Sequence, residues 1–575
     1  MNYTDSFIAE LKYLREVGRS FGERFPQIAG ELGRVSDNPD IERLLEGLAF
    51  LTARIQQRAD EAHPELVQGL ADFLMPQLLR PLPAMTIVAF ASVREVRDRI
   101  RVPCGTEVAS RPIDGTACRF RTVADLDLVP ARVTATRTDS IPTGRRLVIE
   151  LETHPKSREQ VLCREGIRAF IHADHPQALA LLQWITDSAT EVVVFPQGRA
   201  GISFGRGAAR AVGLDAAVLD WPEEAPSGLR LLEEFFAMPE KFCFFELAGL
   251  DAIRGFDGDL LEIAFIAANA PPLPLPVTPD MFRLDAVVAV NLLAASAVPI
   301  RHDPTIRDHL VRADGIDPEH HEIFSIDEVT SIATRGGART QVSPLDARWS
   351  ARSDDTPRFT TIRRTRIQGD GTDTLLRIAG EGGGHTLERR ILSLALTCTN
   401  RGLATRLDVG DVSAPTANSP SGLRWQNITR VTRPASPPLG QEVLWTLLGH
   451  LNTHLGAVLD EKRLRTLLAL HNRSRGFDRL LSHAVDRKIA GLLRVHQEPV
   501  TRLIQRAPLR GVRILLTWDE ESLECPAESH IIGSILHRLF ADFAPLNTFV
   551  ELVILLHPSR AELRWPARFG SGPLL

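Results

Sequence analysis

The chain has 575 residues, of which 44% are hydrophobic and 24% are charged, with a formal net charge of −5 at pH 7. The length exceeds what one compact core accommodates, and the composition is that of a globular protein, which excludes a wholly disordered chain. No apolar run reaches the roughly 20 residues of a membrane span, and the N-terminus lacks a secretory signal pattern, so we expect an intracellular chain without direct membrane insertion.

The first 82 residues are predicted to form an N-terminal helical region. Apolar residues recur at steps of three and four over 5–25, again after Asn38, and once more over 66–74. Asn38 can cap the free amides of the second helix, and Pro39 at its first position has no donor to lose. Such short helices bury little surface alone, so the rest of the chain or another chain is expected to cover them.

The second helix carries the most regular apolar stripe of the chain. Charged residues such as Glu42, Arg43 and Glu46 occupy its opposite face, which makes the helix amphipathic. The stripe consists of Ile41, Leu44, Leu45, Leu48, Leu51, Thr52 and Ile55.

Strands are predicted from residue 83 onward. Pro81 and Pro83 forbid further helix, and the apolar run 85–90 has the length of a strand. Short apolar or alternating runs divided by turn residues continue to residue 213 and return after the proline-rich connection 271–279. The middle of the chain is therefore expected to be β-rich.

Several segments interrupt the β-rich stretch. Residues 229–236 are predicted as a helix and residues 241–250 as a strand, with Pro239 at the turn between them. The polar tract 335–366 is predicted as a long loop. The glycine-rich 380–384 lacks the lysine and the following helix of a phosphate-binding loop, so we expect a hairpin turn between two strands.

The C-terminal part is predicted as an α+β module. Residues 442–472 have leucines at helical spacing, and a strand, a helix and a strand follow at 510–521, 530–544 and 548–557. The predicted fold is thus multidomain α+β, with an N-terminal helical region, several β-rich middle domains and a C-terminal α+β module. Its predicted units are 1–82, 83–213, 214–270, 271–422 and 423–575.

Charge is unevenly distributed along the chain. Residues 214–262 contain twelve acidic and three basic residues, a balance of −9, whereas 457–513 contain five acidic and thirteen basic residues, a balance of +8. Such asymmetry can steer docking between subunits, although two solvated faces would show the same pattern. The basic region 462–513 also leaves binding of DNA or another polyanion as an alternative function.

Candidate catalytic and metal-binding residues are sparse. His450 and His454 lie one helical turn apart and could share a metal, but no third ligand accompanies them. Glu233 and Glu234 are adjacent, so they cannot both face one site and are expected to be solvated. The six cysteines stand singly, which predicts reduced thiols. We therefore expect no enzyme, cofactor or metal site, with a hydrolase or metalloenzyme hidden in the β-rich domains as the alternative.

Several blocks of the sequence resemble one known family. The blocks ERLLEGLAFLTARI and HPELVQGLADFLMPQLLRPLPAMTIVAF are similar to the N-terminal region of the TssF family, baseplate subunits of bacterial type VI secretion systems. Further similar blocks follow in the family's order. They are LRLLEEFFAMPEKFCFFELAGLD, VNLLAASAVPIRHDP with HEIFSIDEV, TCTNRGLATRL, ITRVTRPASPPLGQEVLWTLLGHLNTHLGAVLD and LNTFVELVILLHPSRAELRWPARFGSGPLL.

The resemblance implies a structural wedge subunit of the contractile injection machine. It implies assembly with TssG around the spike hub, with two copies of this chain per TssG. Further partners would be TssK, TssE, the VgrG hub and neighbouring wedges, and nucleic acid is not expected. The chain would be cytoplasmic and would dock at the inner membrane through the assembled baseplate. A baseplate part of a related phage-like contractile particle is a further alternative.

In this context the apolar stripe is interpreted as shared between an internal core and a partner helix bundle. The candidates for partner contacts are Leu44, Leu48, Leu51, Ile55, Arg564 and Trp565.

Overall fold

The structure is a computed structural model that describes most of the chain. The described residues are 11–17, 43–52, 68–72, 75–93, 100–128, 130–153, 166–196, 200–215, 218–219, 221, 225–253, 259–268, 272–273, 276–303, 305–333, 339–345, 357–366, 371–379, 390–440, 460–475, 478–504 and 507–571.

Strands make up most of the regular structure. In the first half of the chain they are β1 (Met85–Ser92), β2 (Ile100–Val102), β3 (Glu107–Ile113), β4 (Thr116–Thr122), β5 (Leu126–Leu128), β6 (Ala131–Ile141), β7 (Gly144–Thr153), β8 (Ile167–Ile171), β9 (Glu191–Pro196), β10 (Ile202–Phe204), β11 (Ala209–Ala211), β12 (Phe244–Leu247), β13 (Leu260–Ala267), β14 (Phe282–Arg283) and β15 (Ala286–Val290). In the second half they are β16 (Leu293–Ser296), β17 (Ile300–His302), β18 (His309–Leu310), β19 (Glu322–Ala333), β20 (Arg339–Pro344), β21 (Arg358–Thr365), β22 (Thr372–Ala379), β23 (Arg390–Thr399), β24 (Leu423–Asn427), β25 (Leu492–Ile504), β26 (Ala507–Asp519), β27 (Phe549–His557) and β28 (Glu562–Phe569).

Helices lie between the strands and in the N-terminal region. They are α1 (His175–Gln183), α2 (Ser227–Ala237), α3 (Glu461–Leu470), α4 (Arg479–Ala490) and α5 (Glu528–Phe543). Residues 11–17, 43–52 and 68–72 are also helical, which agrees with the predicted N-terminal helices over those residues.

Three sheets of the middle region combine distant parts of the chain. Their strand orders are β24-β1-β15-β4-β3, β10-β9-β13-β7-β6 and β11-β12-β8-β14. The first sheet pairs β1 with β15 and β24, so it takes strands from three of the five predicted units. The five units remain a prediction as domains, but sheet hydrogen bonding crosses their boundaries because sequential strands need not be neighbours in a sheet.

A larger sheet closes on itself. Its order is β16-β23-β19-β20-β21-β22-β18, with β17 added on β23. The chain after β18 then returns to β16, where the amide of Asp314 donates to Ser296 O at 2.8 Å and Ala297 bridges to Ala313. A separate apolar core, which includes Val329, Leu376 and Leu396, belongs to this closed sheet.

The C-terminal module contains a β-α-β unit. Its sheet has the order β25-β26-β27-β28, and β26 and β27 run parallel because helix α5 connects them. This agrees with the predicted strand, helix and strand.

Most of the buried apolar residues form one continuous core. It extends from Ala71 in the N-terminal region to Trp565 in β28 and includes α1, α2 and α5. Within it, Gly228 of α2 packs directly against the backbone of Leu539 in α5. The amide of Gly228 donates to Asp542 Oδ2 at 2.7 Å, so a carboxylate from α5 occupies the positive N-terminus of α2.

Three predictions of local structure need correction. The polar tract 335–366 contains two strands, β20 and β21, because β20 pairs with β19 and β21 pairs with β22, and their apolar residues Val342, Phe359 and Ile362 are buried. Residues 380–384, predicted as a hairpin turn, lie outside the described residues, but the strands on either side, β22 and β23, pair with other strands and do not form a hairpin with each other. The predicted strand 241–250 is shorter, because a 3₁₀ turn Pro239–Phe242 precedes β12.

Candidate assembly interface

Three leucines of the apolar stripe in the second N-terminal helix are exposed, while Leu45 and Thr52 of the same stripe are half-buried. Leu44, Leu48 and Leu51 are 73%, 48% and 56% solvent-accessible, whereas Ala49 on the same helical segment is fully buried. The segment therefore docks through its Ala49 side and leaves the leucines facing outward. Exposed apolar side chains in a contiguous row are typical of a protein contact surface. Ile55, the fourth candidate, lies outside the described residues.

A buried glutamine fixes the end of the N-terminal region to the closed sheet. Gln68 is 4% exposed, and its amide donates to Arg363 O at 2.8 Å and accepts from Arg363 N at 3.0 Å. The guanidinium of Arg363 in turn donates to the carbonyls of Ile323 and Phe324, each at 2.7 Å. Burial lowers the pKa of Arg363 to about 10. The sequence does not predict this anchor, because a single glutamine in a helical pattern gives no signal.

The two C-terminal candidates differ in exposure although they are adjacent in β28. The side chain of Arg564 is 73% exposed and pairs with Glu562 at 2.9 Å. Trp565 is 9% exposed, and its indole N–H donates to Ser534 Oγ of α5 at 3.0 Å. Because neighbouring side chains of a strand point to opposite faces, the side chain of Arg564 lies at the surface, while that of Trp565 belongs to the core.

The prediction that Glu233 and Glu234 are solvated is wrong. They are 1% and 0% exposed, because α2 is enclosed by the rest of the chain and not laid on its surface. The two carboxylates do face different partners, as the helical spacing requires. Glu234 pairs with Lys241 and accepts from the amide of Val218 at 2.8 Å.

Glu233 belongs to a buried ion pair that joins several segments. Arg473 donates from Nη1 to Glu233 Oε1 at 2.9 Å and from Nη2 to Arg80 O at 2.8 Å and Ser436 O at 3.3 Å. Burial raises the pKa of Glu233 to about 7, against the opposing effect of Arg473. We name Glu233 and Arg473 the clasp, since they connect α2, the segment before β1 and the C-terminal module.

Much of the basic region 462–513 is neutralised by the chain itself. Besides Arg473, Lys488 pairs with Glu528 at 2.6 Å and Glu524 at 2.8 Å, and Arg475 pairs with Asp486 at 2.7 Å. Burial acts to lower the pKa of Lys488, but the two glutamates outweigh it and raise that pKa. These internal pairs leave fewer positive charges for a polyanion than the sequence count indicates.

The described residues offer little for catalysis or metal binding. Within the ranges given above, no three histidine, cysteine or acidic side chains come together as a metal site. His450 and His454 lie outside those ranges. The cysteines at 104, 118, 243, 398 and 525 are free thiols, and burial raises the pKa of Cys118 to about 11 and of Cys398 to about 12. Among the described helices none has the length and apolar composition to cross a membrane.

Comparison with known proteins decides the family. A family model described as "Type VI secretion system, TssF" matches residues 2–572. The chain belongs to the TssF family. A curated relative from Pseudomonas aeruginosa, "Type VI secretion system component TssF1", is 27% identical, and the match covers 98% of each chain. As a TssF-family member, the chain is a component of the type VI secretion baseplate.

Solved structures show the same fold. A chain in a TssK-TssF-TssG baseplate subcomplex is 25% identical, with a TM-score of 0.75, and the match covers 93% of this chain and 99% of that one. A chain in a baseplate complex of the type VI secretion system is also 25% identical, with a TM-score of 0.69 and full coverage of both chains. The expected mixed α and β architecture of a TssF-family protein is thus confirmed.

Proposed function

We propose that this chain is a non-enzymatic scaffold of the baseplate wedge and that its N-terminal stripe binds TssG. The observation that carries the proposal is the exposure of Leu44, Leu48 and Leu51 on a helix whose Ala49 side is already buried in the chain. Full burial of an exposed leucine side chain contributes roughly 1.5–3 kcal/mol of hydrophobic free energy. A partner helix that covers the three leucines would therefore gain a favourable contribution to binding from each of them.

The wider assembly is proposed from the family resemblance. We expect two copies of this chain per TssG, contacts with TssK, TssE and the VgrG spike hub, and contacts between neighbouring wedges. A solved relative was determined together with TssK and TssG, which supports these two partners. The chain would act in the cytoplasm and dock at the inner membrane through the completed baseplate.

Co-expression with TssG of the same secretion system tests the proposal. The wild-type chain is expected to give a stable heteromer, and native mass spectrometry would give its copy number. A double variant Leu48→Asp with Leu51→Asp places two charges in the stripe and is expected to prevent the heteromer from forming.

Leu480→Asp is the matched control, because Leu480 is 85% exposed on α4 and the substitution has the same chemistry. Circular dichroism of each purified variant establishes that it is folded. Normal assembly of a folded stripe variant would contradict the proposed interface. Failure of the wild-type chain to bind TssG would contradict the proposed wedge assembly as a whole.

A further inference from the structure

The closed sheet has a seam where its two ends meet. One end consists of β16 and β17, which both pair with β23, and the other end is β18, which pairs with β22. Beside β16 the amide of Asp314 donates across the seam to Ser296 O at 2.8 Å. The amide of Val298 likewise donates to Arg312 O at 2.9 Å. Within the described part of the chain, β17 and β18 are not paired with each other.

A pair of buried imidazoles joins β17 to β18 across the seam. His302 is the last residue of β17 and His309 is the first of β18, and Nδ1 of His302 lies 3.1 Å from Nε2 of His309. The two ring planes meet at 63°, and the residues are only 7% and 6% exposed. At this distance one ring nitrogen donates its N–H to the lone pair of the other. The imidazole pair therefore takes the place of strand pairing between β17 and β18.

The two facing nitrogens limit how many protons the imidazole pair can hold. A neutral imidazole carries one ring N–H, and a protonated imidazole carries two. If both rings were protonated, both facing nitrogens would carry hydrogen, and neither would have a lone pair to accept. The closed pair therefore holds at most one added proton, whereas two free histidines each take up a proton below about pH 6.5. Opening of the pair in acid is consequently coupled to the uptake of at least one proton.

The surroundings of His309 favour its neutral form. Burial, and next the neighbouring His302, lower the pKa of His309, against the opposing effects of Asp303 and Asp308. A histidine with a lowered pKa binds fewer protons in the folded chain than in the unfolded chain. Its contribution to stability is therefore present at neutral pH and is lost as the pH falls below about 6.5.

Arginines on the adjacent strands add to this preference. Arg364 of β21 and Arg377 of β22 both pair with Asp308, at 3.3 Å and 2.6 Å. Arg390 of β23 lies in register with His302 and brings a further positive charge to that side of the pair. Since two arginines already neutralise Asp308, this carboxylate has less stabilisation to offer a protonated imidazole.

We propose that His302 and His309 form a pH-sensitive lock, closed near neutral pH and opened by acid, that holds β17 and β18 together at the seam. Opening of the lock detaches β18 from β17, while the backbone hydrogen bonds beside β16 can remain. The lock is independent of the proposed TssG contact, because it lies within the closed sheet and not on the N-terminal stripe.

Hydrogen exchange of the full-length chain at pH 8 and pH 5 tests the lock. Peptides that cover 296–302 and 309–314 report on the seam, and peptides of β13, which contains no histidine, serve as the internal reference. Protection factors are compared, since they correct for the pH dependence of intrinsic amide exchange. In wild type we expect protection at the seam to fall about tenfold or more from pH 8 to pH 5, because opening takes up at least one proton, while β13 keeps its protection.

Two variants separate the lock from other effects of acid. The double variant His302→Gln with His309→Gln keeps side chains that can hydrogen-bond but removes both titrating groups, so protection at its seam should no longer depend on pH. His496→Gln is the matched control on β25, where the His496 side chain is 62% exposed, and it should keep the wild-type response. A double variant with the full wild-type pH response would overturn the proposal.

A second measurement on wild type needs no variant. Hydrogen exchange at the ring carbon C2 follows the titration of each histidine in the intact chain. At least one of His302 and His309 is expected to titrate below the ordinary histidine value of about 6.5, whereas the exposed His496 serves as the reference. Independent titration of both imidazoles near that value, or seam protection in wild type that does not change with pH, would overturn the lock.

Discussion

The clasp is expected to hold the C-terminal module to the rest of the chain. Replacing Arg473 by methionine keeps the alkyl volume but leaves the Glu233 carboxylate buried without its cation and removes the donors to Arg80 O and Ser436 O. At pH 8, where Glu233 is ionised beside Arg473, removing one partner of the buried ion pair costs up to about 3–5 kcal/mol, because Glu233 must either stay charged without a cation or take up a proton. If the ion pair were exposed to solvent, the same substitution would change the free energy of unfolding by no more than about 1 kcal/mol.

Hydrogen exchange of the α2 amides measures this effect locally, without assuming that a chain of this size unfolds in one step. A loss of about 3 kcal/mol corresponds to roughly hundredfold faster exchange through opening. The double variant Glu233→Gln with Arg473→Met removes both charges and is expected to recover much of the loss, since buried pairs are often replaceable by neutral groups.

Arg475→Met is the matched control two residues away. Its ion pair with Asp486 is half-exposed, with the arginine side chain 54% accessible, so its loss should cost no more than about 1 kcal/mol. If Arg473→Met changed α2 exchange no more than Arg475→Met does, the assignment of the clasp as a joint would be refuted.

Three further predictions concern the packing of α2 on α5, the titration of Glu233 and the hydrogen bonds of Gln68. Gly228→Val should destabilise the packing of α2 on α5 by about 1–3 kcal/mol or more, because the neighbour is the rigid backbone of Leu539, and accelerated exchange of both helices would reveal it. Burial raises the pKa of Glu233 from 4.5 to about 7. Between pH 4.5 and pH 7 the folded chain therefore keeps a proton on Glu233 that the unfolded chain has lost. The stability of the folded chain should fall as the pH rises through this range. In wild type, the free energy of opening should be up to about 3 kcal/mol lower at pH 8 than at pH 5. The Glu233→Gln variant should not show this difference. Gln68→Leu should leave the backbone amide and carbonyl of Arg363 without hydrogen-bond partners, which destabilises the fold by about 1–3 kcal/mol for each group. Limited proteolysis should then release the N-terminal region faster. An unchanged cleavage rate would contradict the role of Gln68 as an anchor.

Local structure followed closely from the sequence. The helix over 229–236 and the strand at 85–90 are present as α2 and β1, since a helical period of 3.6 and the length of an apolar run are properties of one segment alone. The tract 335–366 misled the prediction because arginine and threonine outnumber the apolar residues in its two strands, and only the closed sheet shows that Val342 and Phe359 are buried.

The sequence by itself determined the family, the strand-rich middle region, the β-α-β order of the C-terminal module and the amphipathic stripe of the N-terminal helix. It could not determine that Glu233 and Arg473, or Gln68 and Arg363, would meet. Burial and ion pairing depend on which surfaces come together between segments that are hundreds of residues apart. The sequence alone does not show whether a charged side chain is surrounded by water or paired with another charge. Only the tertiary structure decided that α2 is enclosed on all sides, that Trp565 lies in the core, and that the leucine stripe remains at the surface.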